Sequence, residues 1–182
     1  MLLLAWAAGA QSTRYGVDLS GAPVSELAHS GTRVVVLFFV ASDCPLSNRY
    51  DPEVARLQRV FADRGVQFWW VYPNPGDTAS VVSKHMEQFN EGPNVVLDTE
   101  QALVHMARAT VTPEAAVFLR DSNGLHEVYR GRIDDRYLAF GSERPQAQHH
   151  NLEDALTDTL NNQAIPPPGG PPVGCAIVTR KP

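Results

Sequence analysis

The sequence has few cysteines, few lysines and no extended basic or membrane-length segment, and each shortage narrows the range of functions. Its 182 residues include two cysteines, Cys44 and Cys175, which are too few for a zinc site built from four closely spaced ligands. No Cys-x-x-Cys-His motif for covalent haem is present, and we expect no cofactor. Lys84 and Lys181 are the only lysines, and no basic run suggests a nucleic-acid partner. No apolar run after the first residues approaches the roughly 20 residues of a membrane span, so none is expected.

The composition is that of one globular domain. Hydrophobic residues make up 43% of the chain, three tryptophans are present, and the net charge of −5 is spread along the sequence. A chain of 182 residues accommodates one domain with a substantial core. We expect a signal-peptide remnant at 1–10, a domain at 11–162 and a C-terminal arm at 163–182.

Residues 1–10 are apolar and end in Ala8-Gly-Ala10. Small residues around a cleavage point are typical of a secretory signal, so this segment predicts export and a periplasmic or secreted protein. A short apolar tail or strand packed on the domain is the alternative.

Hydrophobic periodicity predicts an α/β fold. Apolar runs predict strands, and apolar residues at helical spacing predict helices. The expected strands are 34–40, 66–72, 95–97, 115–119 and 125–130, and the expected helices are 51–65, 78–89, 100–108 and 152–160. The last two strands flank Asp121-Ser-Asn-Gly124 and predict a hairpin. This order predicts a mixed central sheet with helices on both faces, followed by the stiff proline-rich segment 165–172.

Four features in order resemble the thioredoxin superfamily, specifically its redoxin branch of the alkyl hydroperoxide reductase/thiol-specific antioxidant type. They are Phe38-Phe-Val-Ala-Ser-Asp-Cys44-Pro45, Pro52 eight residues after the cysteine, Val111-Thr112-Pro113 before a strand, and Gly131 after the hairpin. The resemblance covers roughly residues 16 to 160. It implies a thioredoxin-like fold with a cis-proline loop at Pro113.

The sequence departs from the family's patterns at the active site. The usual Cys-x-x-Cys is Cys44-Pro-Leu-Ser47, so a hydroxyl replaces the second thiol. Ala41 and Leu37 stand where peroxiredoxins carry threonine and proline. The buried carboxylate that many thioredoxins place beneath the site is missing, because Phe38 and Phe39 fill that stretch.

The resemblance implies a role for each site residue. Cys44 is the expected nucleophile and Ser47 a hydrogen-bond donor to its thiolate, while Pro45, Thr112 and Pro113 form the expected substrate-binding surface. A helix N-terminus stabilises a thiolate. Asp43 is expected to oppose ionisation of the thiol and Arg49 to favour it, so the sequence leaves the direction of the pKa shift open.

Cys175 is the candidate resolving thiol. An extended arm of about 13 residues after Asn162 reaches roughly 40 Å, enough to return to the active site. Three alternatives stay open: a redox-active pair, two independent thiols, or a permanent disulfide whose loop closure contributes on the order of 5 kcal/mol.

Three functions follow from these alternatives. The first is an extracytoplasmic thiol–disulfide oxidoreductase acting on a protein disulfide or a small thiol, and the second is a divergent peroxidase acting on peroxide. The third is a non-catalytic binding module with a structural disulfide, or with a copper(I) site formed by Cys44, Cys175 and a histidine, because thiolates favour copper(I).

Overall fold

A computed structural model describes residues 15–89 and 92–178 of the protein. The expected signal-peptide remnant at 1–10 lies outside the described residues. The α-helices are α1 Pro45–Phe61, α2 Ala79–Phe89, α3 Ala102–Ala107 and α4 Asn151–Leu160, and a 3₁₀ turn at Ala62–Arg64 follows α1. The strands are β1 Val34–Phe39, β2 Val66–Tyr72, β3 Val95–Leu97, β4 Val111–Thr112, β5 Glu114–Asp121, β6 Gly124–Gly131, β7 Tyr137–Ala139, β8 Ser142–Glu143 and β9 Cys175–Ala176.

Five strands form a mixed sheet in the order β3-β2-β1-β5-β6. Strands β1, β2 and β3 are parallel, while β5 runs antiparallel to β1 and forms the predicted hairpin with β6. Every residue of β1 is buried, because this strand lies at the centre of the sheet with both faces covered. The prediction of a mixed sheet and of a hairpin is confirmed.

The side chains of β1 alternate between two cores. Val34, Val36 and Phe38 join the core that also contains the buried residues of α1 and α4. The intervening side chains join a second core, together with the buried residues of α3. This alternation is the ordinary geometry of a strand, and it confirms the prediction of helices on both faces.

Helix α1 begins earlier than the sequence pattern predicts. The prediction that Asp51-Pro52 opens the helix is wrong: α1 begins at Pro45, and Pro52 lies inside it. Cys44 is the extended N-cap residue, with φ −90° and ψ 109°. Proline is well suited to the first turn of a helix because its missing N–H has no partner there in any case. The early start places Cys44 directly at the helix N-terminus.

The C-terminal arm returns to the domain and pairs with it. Strand β9 lies antiparallel to β4, with Val111 opposite Ala176 and Thr112 opposite Cys175. Pro168 packs against Gly131, where an added Cβ would lie 2.7 Å from the proline Cβ. Within the described part of the chain, no helix combines the length and the apolar character needed to cross a membrane.

Candidate active site at the N-terminus of helix α1

Cys44 lies where the central strand β1 gives way to helix α1, and it has no exposed surface. Its Sγ donates a hydrogen bond to the carbonyl oxygen of Thr112, 3.0 Å away. The peptide bond between Thr112 and Pro113 is cis. The loop before β5 is therefore in direct contact with the sulfur at the mouth of the helix.

Cys175 completes the site from the arm. It is the antiparallel partner of Thr112, whose carbonyl oxygen lies 3.0 Å from the sulfur of Cys44, and the two thiols shift each other's pKa. Both cysteines are free thiols, and Cys175 is half-buried whereas Cys44 is fully buried. Two sulfurs that are far apart in the sequence are thus neighbours in space.

Ser47 lies one helical turn below the sulfur of Cys44. Its side chain is fully buried, its hydroxyl hydrogen-bonds to Cys44, and its oxygen accepts a bond from the backbone N–H of Ala41 at 3.4 Å. The structure thereby gathers the three predicted catalytic residues around the predicted surface residues Pro45, Thr112 and Pro113.

The pKa of Cys44 lies below the ordinary value of a thiol. Burial raises this pKa, but hydrogen bonds from the side chains of Cys175 and Ser47, and from the backbone of the same two residues, outweigh burial. A hydrogen bond donated to a thiolate stabilises the charged form. The contact with the Thr112 carbonyl opposes this effect, because it is made by the neutral thiol.

The pKa of Cys175 shifts in the opposite direction. Burial raises it to about 12, assisted by the hydrogen bond that its thiol donates to Cys44 and by the negative charges of Cys44 and Asp43. The pair therefore consists of a thiol at the helix N-terminus that ionises more readily than an ordinary cysteine and a partner on the arm that ionises less readily. This division of roles is suited to thiol–disulfide exchange, in which the thiolate attacks.

The charged neighbours of Cys44 have other partners. The guanidinium of Arg49 forms an exposed ion pair with Glu143, at 3.0 Å, and lies over the ring of Tyr137. The charge of Asp43 contributes to the raised pKa of Cys175. The expectation that Arg49 favours the Cys44 thiolate stays a prediction.

Sequence reasoning missed a buried carboxylate that holds the loop next to the site. Glu114 opens β5 and is 1% exposed. Its Oε2 accepts bonds from the backbone N–H groups of Thr110 at 2.8 Å and Val111 at 3.4 Å, and its Oε1 pairs with Arg130 at 3.5 Å. The available signal was a charged residue at the start of an otherwise apolar strand, immediately after Pro113.

A second buried carboxylate contacts the turn that precedes Cys44. Asp77 is 3% exposed and accepts hydrogen bonds from the backbone N–H and the hydroxyl of Ser42. Burial raises its pKa, although the bonds from Ser42 oppose the shift. Asp77 fixes the turn that precedes the cysteine.

An open pocket with a volume of about 270 Å³ is lined in part by Pro45. Its aromatic members are Tyr137 and Phe140, and Phe140 is 64% exposed. Its charged members are the ion-paired Arg49 and Glu143.

A three-ligand metal centre does not form at the sulfur pair. Across residues 15–89 and 92–178, the one cluster of three potential protein ligands is Glu53, His150 and Glu153. Arg56 forms ion pairs with both of these glutamates and supplies the positive charge there. In the same described ranges no histidine joins Cys44 and Cys175, as the copper(I) alternative requires.

Known structures share the fold of this chain. No family model and no curated protein matches the sequence. An uncharacterised conserved protein from Geobacillus kaustophilus is 22% identical, with a TM-score of 0.73, and the alignment covers 94% of this chain and 92% of the other. A thioredoxin-family thiol:disulfide interchange protein from Chlorobium tepidum is 19% identical, with a TM-score of 0.53 and coverage of 87% and 100%. A secreted disulfide oxidoreductase from Mycobacterium tuberculosis is 16% identical, with a TM-score of 0.54 and coverage of 83% and 96%.

These likenesses establish the fold. The chain has the thioredoxin-like fold, as the four sequence features predicted, and Cys44 lies at the N-terminus of the helix that follows the central strand.

Proposed function

We propose that the protein is an extracytoplasmic thiol–disulfide oxidoreductase whose Cys44 and Cys175 alternate between two thiols and one disulfide. The observation that carries the proposal is the position of both cysteines at Thr112, whose carbonyl oxygen is 3.0 Å from the sulfur of Cys44 and whose backbone pairs with Cys175. The lowered pKa of Cys44 supports its role as the nucleophile, and the raised pKa of Cys175 supports its role as the second, resolving thiol. The protein disulfide is the substrate class that the exchange chemistry implies.

The exchange proceeds in two balanced steps. In the first, the Cys44 thiolate attacks one sulfur of a substrate disulfide, a Cys44–substrate bond forms, and the other substrate sulfur leaves with its electron pair. That leaving thiolate takes the proton of Cys175. In the second step Cys175 attacks the sulfur of Cys44 and expels the remaining substrate thiolate. Two cysteine thiols are oxidised to a disulfide, and one substrate disulfide is reduced to two thiols.

The reverse direction uses the same pair. An external thiolate attacks the half-buried sulfur of Cys175, and Cys44 leaves as a thiolate. A second external thiolate then attacks the external sulfur of this mixed disulfide, so Cys175 leaves and the two external thiols are oxidised to a disulfide. A thiol with a low pKa leaves faster than one with a high pKa, so the lowered pKa of Cys44 favours this order of attack.

The proposal also includes the export of the protein and its membership of the redoxin branch. Export rests on the apolar residues 1–10, and a secreted disulfide oxidoreductase is among the proteins of this fold. Membership of the redoxin branch rests on the four features around Cys44, Pro52, Thr112-Pro113 and Gly131.

The test is the redox behaviour of the full-length protein. The reduced protein is equilibrated in mixtures of reduced and oxidised glutathione, quenched with acid, alkylated and counted by intact mass. We expect one reversible intramolecular disulfide in the folded protein, absent from Cys44→Ser and from Cys175→Ser. A bond that resists dithiothreitol until the protein unfolds would identify a structural disulfide. Consumption of hydrogen peroxide that requires Cys44, without exchange, would identify a peroxidase.

A further inference from the structure

The arm segment 173–178 is bound to the domain as an extended peptide across the sulfur of Cys44. Cys175 and Ala176 pair with β4, and the next backbone N–H, that of Ile177, donates to the carbonyl of Thr110 at 3.1 Å. Backbone pairing with an edge strand is a common mode of peptide recognition. This arrangement occupies the edge of β4 that an incoming substrate would use.

No side chain fits at Gly174, the residue before Cys175. A Cβ at this position would lie 2.3 Å from the carbonyl oxygen of Thr112 and 3.0 Å from the nitrogen of Pro113. Both atoms belong to the backbone and cannot rotate away. The site therefore selects glycine immediately before the cysteine.

Ile177, two residues after the cysteine, enters an apolar subsite. Its side chain is 7% exposed and joins the core on the α3 face of the sheet. Removal of an aliphatic side chain from water stabilises the bound arm. A charged residue at this position would lose that contribution and would itself be desolvated.

Two side chains hold the backbone of Val178. The Oδ1 of Asn74 accepts its N–H at 3.0 Å, and the Nε2 of Gln101 donates to its carbonyl at 2.7 Å. The side chain of Val178 is itself 56% exposed. The domain therefore binds the backbone at this position and leaves the side chain in solvent.

We propose that the arm segment 173–178 is an internal copy of the substrate, and that the partner is an extended polypeptide with glycine before its reactive cysteine and an aliphatic residue two positions after it. The proposal rests on the proposed exchange chemistry of Cys44. The partner binds the edge of β4 only when the arm has left, because the arm fills the same edge and buries the sulfur of Cys44.

The test uses activated peptides and full-length variants. In a Cys175→Ser background the arm is released by Gly174→Ala, which places a methyl group against the Thr112 carbonyl, or independently by Ile177→Asp. Gly76→Ala is the matched control, because a Cβ there meets no atom within 4 Å. The probe is the peptide Val-Gly-Cys-Ala-Ile-Val with 5-thio-2-nitrobenzoate on its cysteine. The Cys44 thiolate attacks the peptide sulfur, the mixed disulfide forms, and the coloured thiolate leaves with the electron pair.

We expect each releasing variant to react about tenfold faster than the background and the control, which corresponds to about 1.4 kcal/mol. Peptides with Ala in place of Gly, or Asp in place of Ile, should react about tenfold more slowly with the released protein. The mixed disulfide of mercaptoethanol and 5-thio-2-nitrobenzoate is the second probe. Its rate measures the reactivity of Cys44 without any peptide contact. Circular dichroism establishes folding of each variant, and the two variants release the arm through different contacts.

The outcomes separate the two proposals. Equal rates for all three peptides and parallel acceleration with mercaptoethanol would overturn the internal copy and retain the exchange activity. Rates that stay slow with every disulfide after release would contradict both proposals. The released variants could instead form stable dimers without any gain in peptide reactivity. That result would overturn the internal copy, because it would mean that the edge of β4 binds the arm of a second copy of the protein.

Discussion

Thr112 contacts both cysteines: its carbonyl oxygen lies 3.0 Å from the sulfur of Cys44, and its backbone pairs with that of Cys175. A single residue therefore sets the relative position of the two sulfurs. Because the strand pairing fixes the register of the arm, a shift of one residue would turn the Cys175 side chain to the other face and remove its thiol from Cys44.

The first prediction concerns Ser47. Replacing Ser47 with alanine removes a hydrogen bond that stabilises the thiolate of Cys44, so the pKa of Cys44 should rise and its alkylation near neutral pH should slow. The measurement is the ultraviolet absorbance of the thiolate against pH, in a Cys175→Ser background. Ser83→Ala is the matched control, since the Ser83 hydroxyl bonds within helix α2. An unchanged or lowered pKa would contradict the assigned role.

The second prediction concerns Glu114. Replacing it with alanine removes the acceptor for the backbone N–H groups of Thr110 and Val111, and leaves Arg130 without this ion-pair partner. We expect a loss of about 3 kcal/mol in the free energy of unfolding, measured with urea. The control is Glu127→Ala.

Glu127 is 20% exposed, and its ion pair reaches solvent through Arg108, which is 65% exposed. An ion pair that is open to solvent contributes little, so this control should lose less stability than Glu114→Ala. Equal losses would mean that Glu114 is an ordinary surface carboxylate in energetic terms. Glu114→Gln retains an oxygen acceptor and should lie between the two.

Local patterns in the sequence predicted the sheet, and the resemblance to the thioredoxin superfamily predicted the position of Cys44 at a helix N-terminus. The run at 34–40 is apolar throughout, which is typical of a central parallel strand. The start of α1 was missed because the periodic apolar residues begin after Asp51, whereas the first turn is fixed by Pro45 and by the contact of Cys44 with Thr112.

Features that depend on distant partners could not be predicted. The length of the arm showed that it could reach the site, but the register of β9 depends on the fit of Gly174 to Thr112 and on the burial of Ile177. The orientation of Arg49 depends on Glu143, which lies in a different element. No local sequence pattern reports such pairings.

The third prediction is a pH dependence of stability that originates at Asp98. This carboxylate has no exposed surface, and it accepts bonds from the backbone N–H groups of Leu103 and Val104. Burial raises its pKa from 3.8 to about 6, although these bonds oppose the shift. The unfolded chain therefore releases this proton at lower pH than the folded chain, and the stability contributed by the site falls as the pH rises from about 4 to about 6.

Asp98→Asn should remove this dependence. The free energy of unfolding of the variant, relative to the wild type, should increase by roughly 3 kcal/mol between pH 4 and pH 7. Asp18→Asn is a control, because the contribution of Asp18 to stability changes with pH in the opposite direction. The hydrogen bond from Ser20 lowers the pKa of Asp18, so its contribution is lost as the pH falls. Parallel curves for wild type and Asp98→Asn would contradict the raised pKa.

The fourth prediction compares the oxidised and reduced forms of the protein. A disulfide between Cys44 and Cys175 closes a loop that contains most of the domain. In the chain-entropy model it raises the free energy of unfolding by up to about 5 kcal/mol. Urea unfolding of the two forms measures the difference, and the Cys175→Ser variant, treated with the same oxidant, should show none. Because both cysteines already lie at Thr112 in the dithiol form, the gain should appear without a change in the far-ultraviolet circular dichroism. An oxidised form that is no more stable than the reduced form would mean that the bond strains the fold by as much as the closed loop stabilises it.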